Sequence, residues 1–372
     1  MSKQPQQIDA IKLDRNMTIE QTQDDSLVWL SPLESPFHIA GFPWFKQEKK
    51  YRRLPSSPAN PLPSAVDTLA NCTAGGQIRF RTNSSILSIR VKLTGPANMY
   101  HMTVTGQCGF DCYLGDPGEQ YFLSTTRFDH TQTEYEAQLY DWKMKREFGV
   151  TLNFPLYQGV EEVWIGVDAD AKIYATPAYV SDKPVVIYGT SITQGGCATR
   201  PGMAYPNILS RSIPLEFVNL GFSGNGKGEA EVARTIAGIE RLSLFVLDYE
   251  ANSGSVEDIT ATLPPFIRII RERHSEVPIL VISNIRYAGD RFYPAMQQLH
   301  EGRRKVQRDT VERLRSEGDA HLHFLDGFKL LGEDNVSECT VDGSHPTDLG
   351  FLRIAHSLEP IFRELLKEIL VQ

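Results

Sequence analysis

The spacing of apolar residues changes once along this chain, and that change constrains the fold more than any other feature. Between about residues 26 and 175 the apolar positions alternate. In QIRFRTNSSILSIRVKLTG, Ile78 and Phe80 share one face, followed by Leu87, Ile89, Val91 and Leu93, and Arg79, Arg81, Arg90 and Lys92 fall between them. A period of two belongs to a strand with one buried face, and Asn83-Ser84-Ser85 is turn chemistry between two such strands. MYHMTVTG, EYEAQLYD, FGVTLNFPLY and VEEVWIGVD read the same way. Short strands joined by turns, with no long helical pattern among them, predict an antiparallel β-sandwich.

After ATPAYVSDKP the pattern is different. Compact apolar runs (PVVIYG, LEFVNLG, LSLFVLDY, VPILVIS and HLHFLDG) alternate with helical stretches near 204–212, 229–240, 257–273, 291–316 and 348–370. Strands that are apolar on both faces and separated by helices predict a parallel sheet with helices on each side. A chain of 372 residues is longer than one core usually organises. The expected division is therefore a sandwich domain over 1–178 and an α/β domain over 183–372.

Composition narrows the partners. The formal net charge of −8 argues against a nucleic-acid binder, whose surface must neutralise phosphates. No apolar run is long enough to span a bilayer, and the first residues, MSKQPQQIDAIKLDRNM, lack the apolar centre of a secretory leader. A cytoplasmic protein with no membrane partner is expected. The five scattered cysteines (Cys72, Cys108, Cys112, Cys197 and Cys339) fit free thiols in a reducing compartment.

The stretch VVIYGTSITQGG, residues 185–196, brings Gly189, Thr190 and Ser191 straight out of an apolar strand. Three explanations exist: a nucleophile at a strand end, a phosphate cradle, or a plain strand-to-helix turn. A second loop offers a phosphate motif, because Gly221, Gly226 and Lys227 match G-x-x-x-x-G-K. Gly228 then stands where a magnesium-binding hydroxyl is required. A glycine-rich turn that lets two loops approach is the better reading. His274, in RERHSE, reads as a solvated residue at a helix end.

Hydrolysis by a serine needs a base, a carboxylate to orient it and donors for the oxyanion. In CTVDGSHPTDLG, Asp342 and His345 are three residues apart, just before the final helix. Gly224 lies after the second α/β strand and Asn252 after the third. Ligands in such sheets bind at the carboxyl ends of the strands, so these residues converge on one rim.

Ser191 in GTSITQGG, Gly224 in GFSGNG, Asn252 in YEANSG and His345 in DGSHPT resemble, in order, the four blocks of the SGNH (GDSL-like) hydrolases. The resemblance covers about residues 183–372. It implies a flavodoxin-like three-layer α/β/α fold and ester hydrolysis without a cofactor or metal. It also implies Ser191 as nucleophile, His345 as base and Asp342 as its orienter. The oxyanion hole would comprise the N–H groups of Ser191 and Gly224 and the Asn252 amide. Thr190 stands where that family commonly has Asp, which points to a subgroup. GQCGFDCYLG, with Asp111 and Tyr113, resembles the G-x-D-L-Y signature of a jelly-roll-like sandwich that precedes some of these esterases, with Cys112 in place of Leu. Arg200, Tyr205, Asp111 and Tyr113 are candidate substrate contacts. The expected substrate is a small-molecule or carbohydrate ester with a short acyl group, such as acetyl. An acyltransferase on the same residues, or a glycan-binding protein with an idle α/β domain, are the alternatives. Oligomeric state is not legible.

Overall fold

The computed structural model describes residues 14, 26–142 and 144–371. The stretch 1–17, read above as lacking a leader, lies outside the described residues apart from Asp14. The first half is built from β1 (Leu27–Leu30), β2 (His38–Ala40), β3 (Gln77–Thr82), β4 (Ile86–Leu93), β5 (Asp111–Leu114), β6 (Tyr121–Thr125), β7 (Glu134–Asp141), β8 (Phe148–Asn153), β9 (Val160–Asp168) and β10 (Ile173–Tyr174). They form two antiparallel sheets. One has the order β1-β9-β4-β7; the other runs β10-β3-β8-β5-β6, with β2 also paired to β3. The alternation seen in the sequence produces the core between them. Ile78 and Phe80 of β3 and Leu152 of β8 meet Leu87, Ile89 and Ile165 of the opposite sheet.

The polar face of β3 is less simple. Arg79 is buried, with its guanidinium 4.0 Å from the Tyr179 ring, because this side of the sheet packs against the second half of the chain. MYHMTVTG is not a strand. It makes a turn and a short helix, Val104–Cys108, with the Thr103 side chain accepting the Gly106 N–H at its start. The hydroxyls of Thr103 and Thr105 donate to the Thr199 carbonyl at 2.7 and 2.5 Å. Tertiary contact thus overrides the local alternation.

The second half contains β11 (Val185–Gly189), β12 (Phe217–Gly221), β13 (Leu244–Asp248), β14 (Ile279–Ile282) and β15 (Leu322–Leu325). All pairings are parallel, in the order β12-β11-β13-β14-β15. This 2-1-3-4-5 order is the flavodoxin-like arrangement. Val186 and Tyr188 of β11 pack on one face with Val232, Ile259, Phe266 and Val311, from helices Ala230–Ala237, Val256–Arg271 and Pro294–Ser316. Val185 and Ile187 face the other way, onto Leu209 and Phe351 of helices Tyr205–Ser212 and Asp348–Leu365. Burial on both faces explains why these runs show no alternation.

The two halves share more than a border. Leu54, Val66 and Ala70 precede the main sandwich strands, yet they pack into the core that holds Val186 and Phe266. Met102 and Leu156 of the sandwich join the other face. Arg53 is fully buried, and its guanidinium donates to the carbonyls of Cys72, Asn219 and Gly221. No described helix is long and apolar enough to cross a membrane.

His274 is buried, not solvated. Its Nε2 lies 3.2 Å from the Ala237 carbonyl at the end of a neighbouring helix, and desolvation lowers its pKa. All five cysteines are free thiols.

Candidate active site

The central strand β11 ends at Gly189, and Thr190 takes an extended conformation that starts the short helix Ser191–Gln194. The Thr190 hydroxyl accepts the Ile192 N–H, and the Thr193 hydroxyl accepts the Thr190 N–H, each at 3.3 Å. This reciprocal cap holds Ser191 at the rim of the sheet. On the far side of the rim, Asp342 and His345 occupy the turn before helix Asp348–Leu365.

Ser191 Oγ lies 2.9 Å from His345 Nε2, and His345 Nδ1 lies 2.7 Å from Asp342 Oδ2. Asp342 Oδ1 accepts the backbone N–H groups of Ser344 and His345 at 3.0 and 2.8 Å. Partial desolvation opposes the charged carboxylate. The hydrogen bonds from the His345 backbone and ring and from the Ser344 N–H outweigh it, and the Asp342 pKa falls far below the usual range. A fixed carboxylate on Nδ1 leaves the Nε2 lone pair directed at the serine.

Gly224 and Asn252 lie beside this group. The loop Phe222–Gly226 is tied to the nucleophile loop: the Phe222 N–H donates to the Gly189 carbonyl at 3.0 Å and the Ser223 N–H to Gln194 Oε1 at 3.0 Å. Gly224 has φ +66°, and a Cβ added there would meet no atom within 4 Å, so the open side is free for a ligand. Asn252 donates one amide hydrogen to the Phe222 carbonyl at 3.2 Å, and its amide carries a second. The loop with the phosphate-like motif packs on the protein itself. A Cβ at Gly226 would lie 2.0 Å from the Gly189 carbonyl oxygen, and the Lys227 N–H donates to Glu229. It is a close approach of two loops.

The sandwich closes one side. The His101 ring meets the His345 ring edge-on at 5.5 Å and stacks on the exposed Tyr100 at 4.5 Å. The Tyr157 hydroxyl donates to the Ser191 carbonyl at 3.4 Å. Cys197 is buried, six residues after the serine. Burial, then the Asp342 charge, push its thiol up to about 12, so it stays protonated near neutrality. One nitrogen of His101, one of His345 and the Cys197 Sγ all lie within 4.8 Å of one another.

Comparison with known proteins agrees with this layout. The profile of the GDSL-like lipase/acylhydrolase family matches residues 182–363. That of the N-terminal GxDLY region of SGNH-type esterases matches 27–173. A solved structure from Bacteroides ovatus, described as a GDSL-like lipase, is 32% identical, with a TM-score of 0.84 over 92% of this chain and 98% of its own. The chain belongs to the GDSL-like lipase/acylhydrolase family. Two more distant structures share its fold. A salicylyl-acyltransferase of a tetracycline biosynthetic pathway is 21% identical (TM-score 0.74), and a family two carbohydrate esterase from Cellvibrio japonicus is 12% identical (TM-score 0.59). Each match covers 92% of this chain and 98% of the other. No curated protein sequence matches.

Within this GDSL-like fold, the candidate substrate contacts take other positions. Tyr205 is fully buried and its hydroxyl donates to Asp248 Oδ2 at 2.8 Å, out of a substrate's reach. Asp111 is also fully buried. It accepts from Asn153 Nδ2 and the Gly202 N–H, both at 2.7 Å, and pairs with Arg200 at 3.1 Å. Tyr113 is buried beside it with its hydroxyl on Arg200, whose guanidinium lies 3.8 Å from the Phe122 ring. This set ties β5 to the loop after the nucleophile, and its polar atoms are already partnered by protein.

Asp248, at the end of β13, is a group the sequence offers only as an acidic strand-end partner for the phosphate-like motif. Desolvation raises its pKa to about 7 against the opposing hydrogen bonds from Tyr205 and Thr193. It sits directly behind the nucleophile loop, with the Thr193 hydroxyl 2.9 Å from Oδ2. His101 carried no sequence signal beyond being a histidine in the sandwich half.

Proposed function

We propose that this protein is a serine ester hydrolase that removes short acyl groups by way of an acyl-enzyme. The observation that carries this reading is the continuous pair of contacts from Ser191 Oγ to His345 Nε2 and from His345 Nδ1 to Asp342. In the first step His345 takes the proton of Ser191 as its oxygen attacks the ester carbonyl. Asp342 keeps Nδ1 protonated and stabilises the imidazolium. The N–H groups of Ser191 and Gly224 and the Asn252 amide receive the oxyanion. His345 then protonates the leaving alcohol. A water molecule, deprotonated by the same histidine, releases the acid and restores Ser191.

The substrate class in this reading is an acylated carbohydrate or small metabolite, acetylated first of all. The fold shared with a family two carbohydrate esterase supports it. So does the aromatic ring of Tyr100, which is 94% exposed beside the site, because sugars stack on such faces. An alcohol other than water as acceptor would make the same residues an acyltransferase, and product analysis with added sugars separates the two.

The test is hydrolysis of p-nitrophenyl esters from acetyl to decanoyl by the wild-type protein and by Ser191→Ala. Activity limited to short chains and lost in the variant is expected. Equal rates in both proteins would remove Ser191 as the nucleophile.

A further inference from the structure

His101, Cys197 and His345 come from three separate parts of the chain: the turn before helix Val104–Cys108, the loop after the nucleophile and the turn before helix Asp348–Leu365. The fold brings one donor atom of each within 4.8 Å of the others. His101 Nδ1 is buried and, among the described residues, has no hydrogen-bond partner. A buried imidazole nitrogen without a partner is an unmet polar group, and a ligand would satisfy it.

We infer that these three side chains form a reversible binding site for Zn²⁺ or a similar borderline-soft divalent ion, which inhibits the enzyme by occupying the base. Two imidazoles and a thiolate are a donor set that zinc favours, and three protein ligands leave a fourth position for water or the Ser191 oxygen. In a tetrahedral site with bonds of about 2.0–2.3 Å, neighbouring donors sit about 3.3–3.8 Å apart. Side-chain rotation of about an ångström therefore closes the set around an ion. Asp342 on His345 Nδ1 supplies the carboxylate–histidine–metal relay common at zinc sites, and it leaves Nε2 as the metal-binding nitrogen. The Cys197 thiolate and the Asp342 carboxylate together balance the two charges of the ion, and the thiol proton leaves to bulk water. Nε2 is also the atom that receives the Ser191 proton in the proposed mechanism. Metal and catalysis then exclude one another. Binding stands on the geometry alone; the inhibitory consequence rests on the esterase reading.

The first experiment titrates the wild-type protein with Co²⁺ and follows the thiolate-to-cobalt charge-transfer band. One equivalent should produce the band, and Zn²⁺ should bleach it. Cys197→Ala should abolish it, and His101→Gln should weaken cobalt binding by more than the roughly tenfold that loss of an outer-shell partner alone costs. In a parallel ester assay, Zn²⁺ should suppress wild-type hydrolysis and a chelator should restore it. Cys197→Ala should keep most of the metal-free rate and lose the sensitivity. No band in the wild type, or a band undiminished in Cys197→Ala, would overturn the site. A band that vanishes with Cys197, in a protein without hydrolysis of any ester, would uphold the site and sink the esterase reading instead.

Discussion

The carboxylate of Asp111, on a sandwich strand, accepts the backbone N–H of Gly202, eleven residues past the serine, at 2.7 Å. With Arg200 on the same carboxylate, this is how the first half of the chain grips the loop that leaves the nucleophile. Removing one partner of a buried pair strands the other charge and costs about 3–5 kcal/mol. Asp111→Ala should therefore lower stability by that order and reduce kcat by loosening the loop. Denaturant unfolding beside ester kinetics checks this, and an unchanged unfolding midpoint would show the tie to be idle.

Asn252 reaches the Gly224 loop through the Phe222 carbonyl. As an oxyanion donor, its replacement by Ala should cost roughly 10²–10³ in kcat while the protein stays folded. Wild-type turnover in Asn252→Ala would take the side chain out of the mechanism.

Gly224 poses a different question, because its added methyl would touch nothing. The cost of Gly224→Ala comes from the left-handed backbone alone, about 1–2 kcal/mol. A larger loss of stability would show that the loop shifts, and an early plateau in acyl-chain length would show that the methyl enters the substrate's space.

Asp248 gives the pH dependence. Its folded pKa, about 7, lies above its ordinary value of 3.8. Below pH 3.8 the carboxyl is neutral in both states. Between pH 3.8 and 7 the unfolded chain releases the proton and the folded one keeps it. Stability is therefore lost as pH rises through this window and levels off above 7, at about 1.4 kcal/mol per unit of difference. Asp248→Asn should flatten this part of the stability curve in urea unfolding at pH 5 to 8. Parallel curves for the two proteins would place the carboxylate in its ordinary range.

The parallel sheet was legible because burial on both faces leaves unbroken apolar runs, and the helical periods between them were read to within a few residues. Ser191, Asp342 and His345, which the fold brings into contact, stood out in the sequence through their places after a strand or before the last helix together with the four-block resemblance, and Gly224 and Asn252 through the same two signals. What the sequence did not show is which polar groups the fold pairs with one another. Asp111, Tyr113, Arg200 and Tyr205 carry chemistry suited to a substrate, and nothing local reveals that each is partnered by protein instead. The alternation in MYHMTVTG was genuine, but Thr199 takes two of its hydroxyls and the segment turns. His101 meets His345 only because two distant segments fold together, and no local period encodes that.

Leu54, Val66, Ala70 and Arg53 lie before the sandwich strands β3 to β10, yet they complete the core and loops of the sheet that carries the serine. The two halves therefore share one interior across the boundary near residue 178. A fragment starting there would expose an unfinished apolar face.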